Sequence, residues 1–295
     1  MSDLAQVPSL VAVSGRPPNR WRALLRSPSG MTGLVIVVLL LILSVVSLLG
    51  LLPYDPIAQD PPARLQPPSG QHWFGTDQFG RDVFSRVAAG VANSALVAIV
   101  AVTFATVVGT LGGLVAGFIR GVPDVAIGAV TNVLFAFPPL LLALAFATVL
   151  PANLTSLTIA IAISWWPWYT RLVRGQAASV AGRPYVEACR ALGIPSWRIL
   201  LRHVLPNSVT PVIVQVSLDV GGVILTASAL SFLGLGAQDP TPDWGLMVAE
   251  GQNYFTTQWW LVTFPGLAIL ITALAFNLLG DGLRDVLDPR RVLVR

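Results

Sequence analysis

No charged side chain interrupts residues 31–52, a run of 22 positions. As a helix rising about 1.5 Å per residue, it reaches about 33 Å, enough to cross a hydrocarbon core of roughly 30 Å. A cleaved leader has a shorter apolar core and a small-residue cleavage site, so the run reads as a retained first span. Five more apolar segments follow, at 88–118, 125–150, 154–170, 209–235 and 259–279. Lipid offers the backbone no hydrogen bonds, so spans of this length must be helices. The expected fold class is therefore an all-α polytopic membrane protein with six transmembrane helices. A composition of 54% hydrophobic and 11% charged residues, with mean hydropathy +0.73, agrees. The single cysteine, Cys189, excludes an internal disulfide, and His72 and His203 do not make a zinc site. Nothing in the chain has the footprint of a nucleic-acid binder or a metalloenzyme.

Between the fourth and fifth segments stands a polar interruption from Arg183 to Asn207 carrying Arg183, Arg190, Arg198 and Arg202. It is too short and too charged to span and reads as two short helices joined by a bend. Pro184 suits the first turn of the first helix, Gly193 can take the left-handed conformation that ends it, and Pro195 starts the second. Tyr185, Ala188, Cys189 and Leu192 lie on one face at helical spacing, as do Trp197, Leu200, Leu201, Val204 and Leu205 after the bend. On spacing alone this is either a docking element or an amphipathic hairpin at the membrane surface.

The residues themselves separate those readings. Glu187-Ala-Cys-Arg-Ala-Leu-Gly193, with His203, Leu205, Pro206 and Asn207 at the matching distance, resembles the EAA loop of ABC importer permeases. Cys189 stands where the second alanine is usual. The segment from His72 to Arg86, with Gly75-Thr-Asp77, Gly80-Arg-Asp-Val83 and Ser85-Arg86, resembles the external signature of the dipeptide, oligopeptide and nickel branch. So do Leu230-Ser-Phe-Leu-Gly-Leu-Gly236, Pro240-Thr-Pro-Asp-Trp-Gly245 and the end of the chain from Phe276 to Arg290. Members often carry a glutamate where Ala227 stands.

The resemblance implies the type I importer transmembrane fold and a subunit that is not an enzyme. Its expected partners are a second homologous permease, two cytoplasmic ATPases that bind ATP and Mg, an external or periplasmic substrate-binding protein and the lipid bilayer. No cofactor is expected in this subunit. Glu187, Ala188, Cys189, Leu192, Gly193, Trp197, Arg198 and Leu201 become the ATPase-docking surface. An ion-coupled secondary transporter would want several intramembrane ionisable groups in paired half-helices, and an intramembrane hydrolase a nucleophile with its base. Neither pattern is present, and neither explains the 183–207 loop.

The domain reading is a cytoplasmic segment 1–30, a first span 31–52, an external loop with an interfacial helix 53–87, the type-1 transmembrane domain 88–282 with its coupling loop 171–208, and a tail 283–295. The net charge of +4 is carried by arginine alone. With the amino terminus inside, fifteen of eighteen arginines fall on the cytoplasmic side, including Arg16, Arg20, Arg22, Arg26, Arg290, Arg291 and Arg295, against Arg64, Arg81 and Arg86 outside. This orientation in a bacterial-type inner membrane is the expectation.

Outside, six prolines within 53–68 favour extended chain. The 72–86 stretch reads as a structural lid or a substrate contact, with Asp82 and Arg86 as an i, i+4 pair and Val83, Phe84 and Val87 facing the interface. Trp165, Trp166, Trp168 and Tyr169 read as an interfacial belt at the inner surface, Pro138 and Pro139 as a break in the third span, and Gly280 and Gly282 as the end of the last. Within the fifth span, Gln215, Asp219, Gly222 and Thr226 fall on one helix face. A carboxylate facing lipid would cost about 2.5 to 3.5 kcal/mol, so this stripe lines either the substrate path or a contact with the partner permease.

Overall fold

The computed structural model describes residues 27–287. Arg16, Arg20, Arg22, Arg26, Arg290, Arg291 and Arg295 lie outside the described residues. Within that range the regular structure is helical, joined by loops of which the longest is 49–82, with one isolated bridge between Thr76 and Asp82. The helices are α1 Pro28–Leu48, α2 Val83–Ile119, α3 Val122–Phe135, α4 Pro139–Val149, α5 Leu154–Ala181, α6 Pro184–Ala191, α7 Ser196–Phe232, α8 Trp244–Gly251 and α9 Trp260–Leu287.

Four of these, α1, α2, α7 and α9, are long and apolar enough to cross a membrane. The bent pair α3 and α4 makes a fifth if taken together. The fourth expected span, α5, has 28 residues and thus about 42 Å of length, but its middle is occupied by Ser164, Trp165, Trp166, Pro167, Trp168, Tyr169 and Thr170, which dilute its apolarity.

Helix starts follow from local chemistry. Asp82 accepts from the Ser85 amide at 2.8 Å, Asn153 from Ser156 at 2.8 Å and Asp243 from Leu246 at 3.0 Å, each satisfying an orphan donor of the first turn. Prolines at the first turns of α1, α3, α4 and α6 give up amides that have no helical partner there. Pro138 and Pro139 do break the third span: α3 and α4 meet at 89°.

The tightest seam joins α2 and α5. A Cβ added at Gly109 would lie 2.4 Å from the Tyr169 Cβ, one at Gly113 would lie 2.7 Å from both Val173 and the Thr170 carbonyl, and one at Gly117 2.4 Å from the Arg174 carbonyl. Position rises along both helices together, so they run parallel. Their contact is a small-residue face at i, i+4 and i+8 that lets two backbones touch. Elsewhere Gly33 rests on the backbone of Ala275 and Leu279, tying α1 to α9, while Gly221 meets Ala273 and Gly280 meets Leu218, so α7 and α9 run antiparallel.

Several expectations are corrected. The interfacial helix within 53–87 does not exist separately, because residues 83–87 are the first turn of a continuous 37-residue α2. Val83 and Val87 are buried in protein, not set at a lipid interface. Tyr169 is wholly buried against α2 in the interior of α5, so it is no part of an inner-surface belt, although Trp168 is half exposed. Gly280 and Gly282 do not end α9, which continues to Leu287; Gly280 instead admits Leu218.

The seam makes a direct prediction. Gly113→Val should destabilise the solubilised chain by about 1 to 3 kcal/mol through overpacking, whereas Gly175→Val, where an added Cβ meets nothing within 4 Å, should change the unfolding temperature far less. Thermal unfolding of the two variants in detergent measures the difference.

Candidate functional site

The 183–207 hairpin is built by backbone hydrogen bonds. Helix α6 ends on Gly193 at φ +74°, with the Gly193 amide bonded to the Arg190 carbonyl at 2.9 Å and the Ile194 amide to the Cys189 carbonyl at 3.1 Å. These two bonds make a Schellman cap and satisfy carbonyls that the helix end would otherwise leave open. The second arm is not an independent short helix. Ser196–Ile199 runs into a five-residue π-helical stretch, Leu200–Val204, and then directly into Leu205–Phe232. Pro206 lacks the amide that would bond residue 202, and widening by one residue per turn accommodates its ring. Asn207 Nδ2 donates to the His203 carbonyl at 2.7 Å and Ser208 Oγ to the Val204 carbonyl at 2.9 Å, so side chains add bonds to the backbone just past the widened turn.

Val186, Ile199 and Val204 are fully buried against the spans, and the Arg190 guanidinium lies 5.2 Å from the Phe118 ring at the end of α2. Tyr185 and Leu192 point out. Leu192 is 80% exposed, Trp197 60% and Leu201 54%. Glu187, Ala188, Gly193 and Arg198 are exposed with them, and Cys189 is half buried with its Sγ 4.0 Å from His203 Nε2. The extra sulfur atom at 189 thus sits between the two arms.

The stripe on α7 is likewise half open. Gln215 Nε2 donates to Asp219 Oδ1 at 2.9 Å, and the Thr226 hydroxyl donates to the Gly222 carbonyl at 3.0 Å. An added Cβ at Gly222 would meet nothing within 4 Å. Gln215 and Asp219 line a cavity of about 250 Å³. Its other walls are Leu134, Phe135, Phe137, Pro139 and Leu142 from the α3–α4 break and Ser164, Trp165, Pro167 and Trp168 from α5. A neighbouring cavity of about 370 Å³ lies between α3 and α5, where Arg174 grips Asp124 through bonds of 2.5 and 3.0 Å. There Arg171 bonds Asn132 at 3.2 Å with its guanidinium 3.8 Å from the Phe135 ring centroid.

At the opposite end of the helices, the 72–86 stretch locks the proline-rich loop. The Thr76 hydroxyl donates to the Ala63 carbonyl and accepts from the Gln66 amide at 2.8 Å, and the Leu65 amide bonds the Asp77 carbonyl at 3.1 Å. Gly80, at φ +80°, lies so close to Asp60 that a Cβ would come within 1.8 Å of its carbonyl oxygen. Arg81 is fully buried and bonds three carboxylates: Asp77 at 2.6 Å, Glu250 at 3.3 Å, and Asp239. Burial opposes its charge, but the bonds to Asp239 and Asp77 more than restore it. Burial pushes the Glu250 carboxyl up, with Arg86 and Arg81 pulling the other way.

Asp82 and Arg86 do not pair as their spacing suggested. Asp82 bonds His72 Nδ1 at 2.9 Å and caps α2, while Arg86 donates to the carbonyls of Pro56 at 3.2 Å and Pro240 at 3.3 Å. Trp244, wholly buried, donates to the Val87 carbonyl at 2.9 Å, and Trp260 to that of Thr76 at 3.2 Å.

Residues 109–292 match the family described as the binding-protein-dependent transport system inner membrane component. The chain belongs to that family. Residues 19–68 match the N-terminal transmembrane domain of oligopeptide transport permease C. The probable D,D-dipeptide transport system permease DdpC of Escherichia coli K12 is 47% identical over 264 residues, covering 90% of this chain and 88% of that one. The dipeptide transport system permease DppC of Alkalihalophilus pseudofirmus is 45% identical over 231 residues, 78% and 76% of the two chains. The glutathione transport system permease GsiD of Pectobacterium atrosepticum is 41% identical over 291 residues, 97% and 96%. The chain is thus an inner-membrane permease with the type I importer fold and no enzyme.

In this permease the expected docking residues gather at one end, Gln215 and Asp219 of the stripe face a cavity while Gly222 and Thr226 do not line it, and the 72–86 motif forms a separate cap at the other end. Spacing within the 72–86 motif did not reveal the cap's ion cluster, whose partners Asp239 and Glu250 stand 158 and 169 positions from Arg81. Arg81→Ala strands three carboxylates and should destabilise the cap by about 3 to 5 kcal/mol. Arg81→Lys should recover only part of this, since an ammonium lacks the planar fork that reaches several partners. Thermal unfolding, with limited proteolysis of the 53–82 loop, checks both.

Proposed function

We propose that this chain is one of two homologous permease subunits of an ATP-driven importer of dipeptides or related short peptides. The observation that carries the coupling mechanism is the hairpin's arrangement: Val186, Ile199 and Val204 anchor it to the spans while Leu192, Trp197 and Leu201 stand in the open. Large apolar side chains on a charged, internally bonded hairpin fit a protein groove better than water. Two cytoplasmic ATPases would hold ATP and Mg, with no cofactor in this subunit, and would receive Glu187, Ala188, Cys189, Leu192, Gly193, Trp197, Arg198 and Leu201. The hairpin and both termini then face the cytoplasm, and the Arg81 cap faces an external binding protein.

The mechanical step follows from α7. Its first residues are the second arm of the hairpin, and the same helix carries Gln215, Asp219, Gly222 and Thr226. A displacement at Trp197 therefore reaches Asp219, about 33 Å along the helix, without crossing a loop. When the ATPases close, the hairpin moves as a rigid piece and α7 re-aims the stripe from one side of the membrane to the other. The peptide class is supported by the D,D-dipeptide and dipeptide relatives, and the glutathione relative handles a peptide too.

Inverted vesicles are unsuitable for this test, so right-side-out proteoliposomes holding the full importer should take up labelled dialanine with ATP inside and binding protein outside. Uptake that persists with ion gradients collapsed and stops without ATP is the expected result; uptake that follows a proton or sodium gradient instead would overturn the proposal. Gly193→Val forces a β-branched residue into a left-handed conformation, costing about 1 to 2 kcal/mol and misaiming the second arm. Uptake should fall while insertion survives, and Gly193→Asn, which tolerates positive φ, should retain most activity.

A further inference from the structure

Asp219 is the acidic side chain set deepest within a spanning helix among the described residues, and its surroundings are specific. One oxygen, Oδ1, is fixed by Gln215 Nε2 at 2.9 Å. The other, Oδ2, is buried and makes no hydrogen bond of normal geometry; the polar neighbour of the carboxylate is the wholly buried Tyr169 hydroxyl, which also faces Thr106. Polar atoms left unpaired in a low-dielectric interior are costly, and a carboxylate there invites a cation.

The cavity beside it decides which cation. Gln215 and Asp219 share it with Trp165, Trp168, Phe135 and Phe137. At about 250 Å³ it is smaller than the roughly 300–1,000 Å³ of a site for a whole small molecule, so it suits one end of a solute. Aromatic walls around a carboxylate are the chemistry of ammonium recognition: the rings attract positive charge through their faces and the carboxylate supplies a charge-assisted hydrogen bond. A carboxylate or phosphate end would be repelled. Arg171, the nearest cation along α5, lines the neighbouring cavity, bonded to Asn132 and stacked on Phe135.

We infer that Asp219, positioned by Gln215 and walled by Trp165 and Trp168, receives the positively charged amino end of the solute as it crosses the membrane. The inference rests on the reading of the Gln215–Thr226 face as path lining, and it assigns that face a ligand: a primary ammonium group. It makes Asp219 a binding residue and Gln215 its positioning residue.

The assembled importer, with Cys189→Ser and Gly222→Cys, tests this. Position 222 has open space for the new side chain and lies one helical turn from Asp219. Reaction of the thiol with aminoethyl methanethiosulfonate, a cation, should outpace reaction with the sulfonatoethyl analogue, an anion, by roughly tenfold or more after normalising to free cysteine, the low end of focusing in a charged cleft. Adding Asp219→Asn should bring the two rates close together, and Asp219→Glu should keep the preference. Propylammonium should protect the thiol and propanol should not, an arm that needs no change at 219 and so decides even if Asp219→Asn fails to assemble. Equal rates, a preference that survives Asp219→Asn, equal protection by both solutes, or a thiol that no reagent reaches would each overturn the inference, the last by placing the face in a packed subunit contact. A complex with the charge preference that takes up no dialanine would keep the amino-end site and defeat only the peptide reading.

Discussion

The parallel contact of α2 and α5 is what the rest of the architecture hangs on. In lipid there is little hydrophobic gain from bringing two apolar helices together, so close packing must supply the attraction, and Gly109, Gly113 and Gly117 supply it by removing every Cβ from the seam. Because the helices run parallel, the chain must return across the membrane between them, which α3 and α4 do with a break of 89°. That break opens the α5 surface around Trp165 and Trp168 and leaves room for the cavity that Asp219 enters from α7. Two straight helices in place of α3 and α4 would have filled it.

The two ends of the molecule solve opposite problems. The cap must not yield, and it buries two arginines among carboxylates and carbonyls brought from residues 56, 77, 239, 240 and 250. An ion cluster of this kind gives little net stability over apolar packing, but losing one member is costly, so it fixes one arrangement of the loops. The hairpin at the other end is held by only a few apolar side chains and a glycine cap. It keeps its own shape through backbone bonds, and its second arm is continuous with α7.

Features governed by neighbouring residues were legible in the sequence. Gly193 and Pro195 forecast the bend because a left-handed residue and a helix start are local requirements, and both prolines of 138–139 forecast the break for the same reason. Pattern failed where two surfaces compete. In α6 the spacing picked out Tyr185, Ala188, Cys189 and Leu192 as the apolar face, yet the side chain buried against the spans is Val186, off that stripe. The i, i+4 spacing of Asp82 and Arg86 was real, but Glu250 and the carbonyls of Pro56 and Pro240 take Arg86 instead, and His72 takes Asp82. The glycine seam was written at four-residue intervals in α2, yet its partner on α5 begins at Trp166 and Tyr169, inside a cluster that reads as an interfacial aromatic belt.

Tyr169 connects these elements. Its Cβ fills the gap over Gly109, so it belongs to the seam, while its hydroxyl reaches toward Asp219 and Thr106, so it also belongs to the site. A buried side chain that touches α2 through its stem and α7 through its tip couples the two helices: α7 cannot rotate about its axis without changing the polar contacts of Tyr169. Since α7 begins in the hairpin, the coupling proposed above would act on Tyr169 through this same helix.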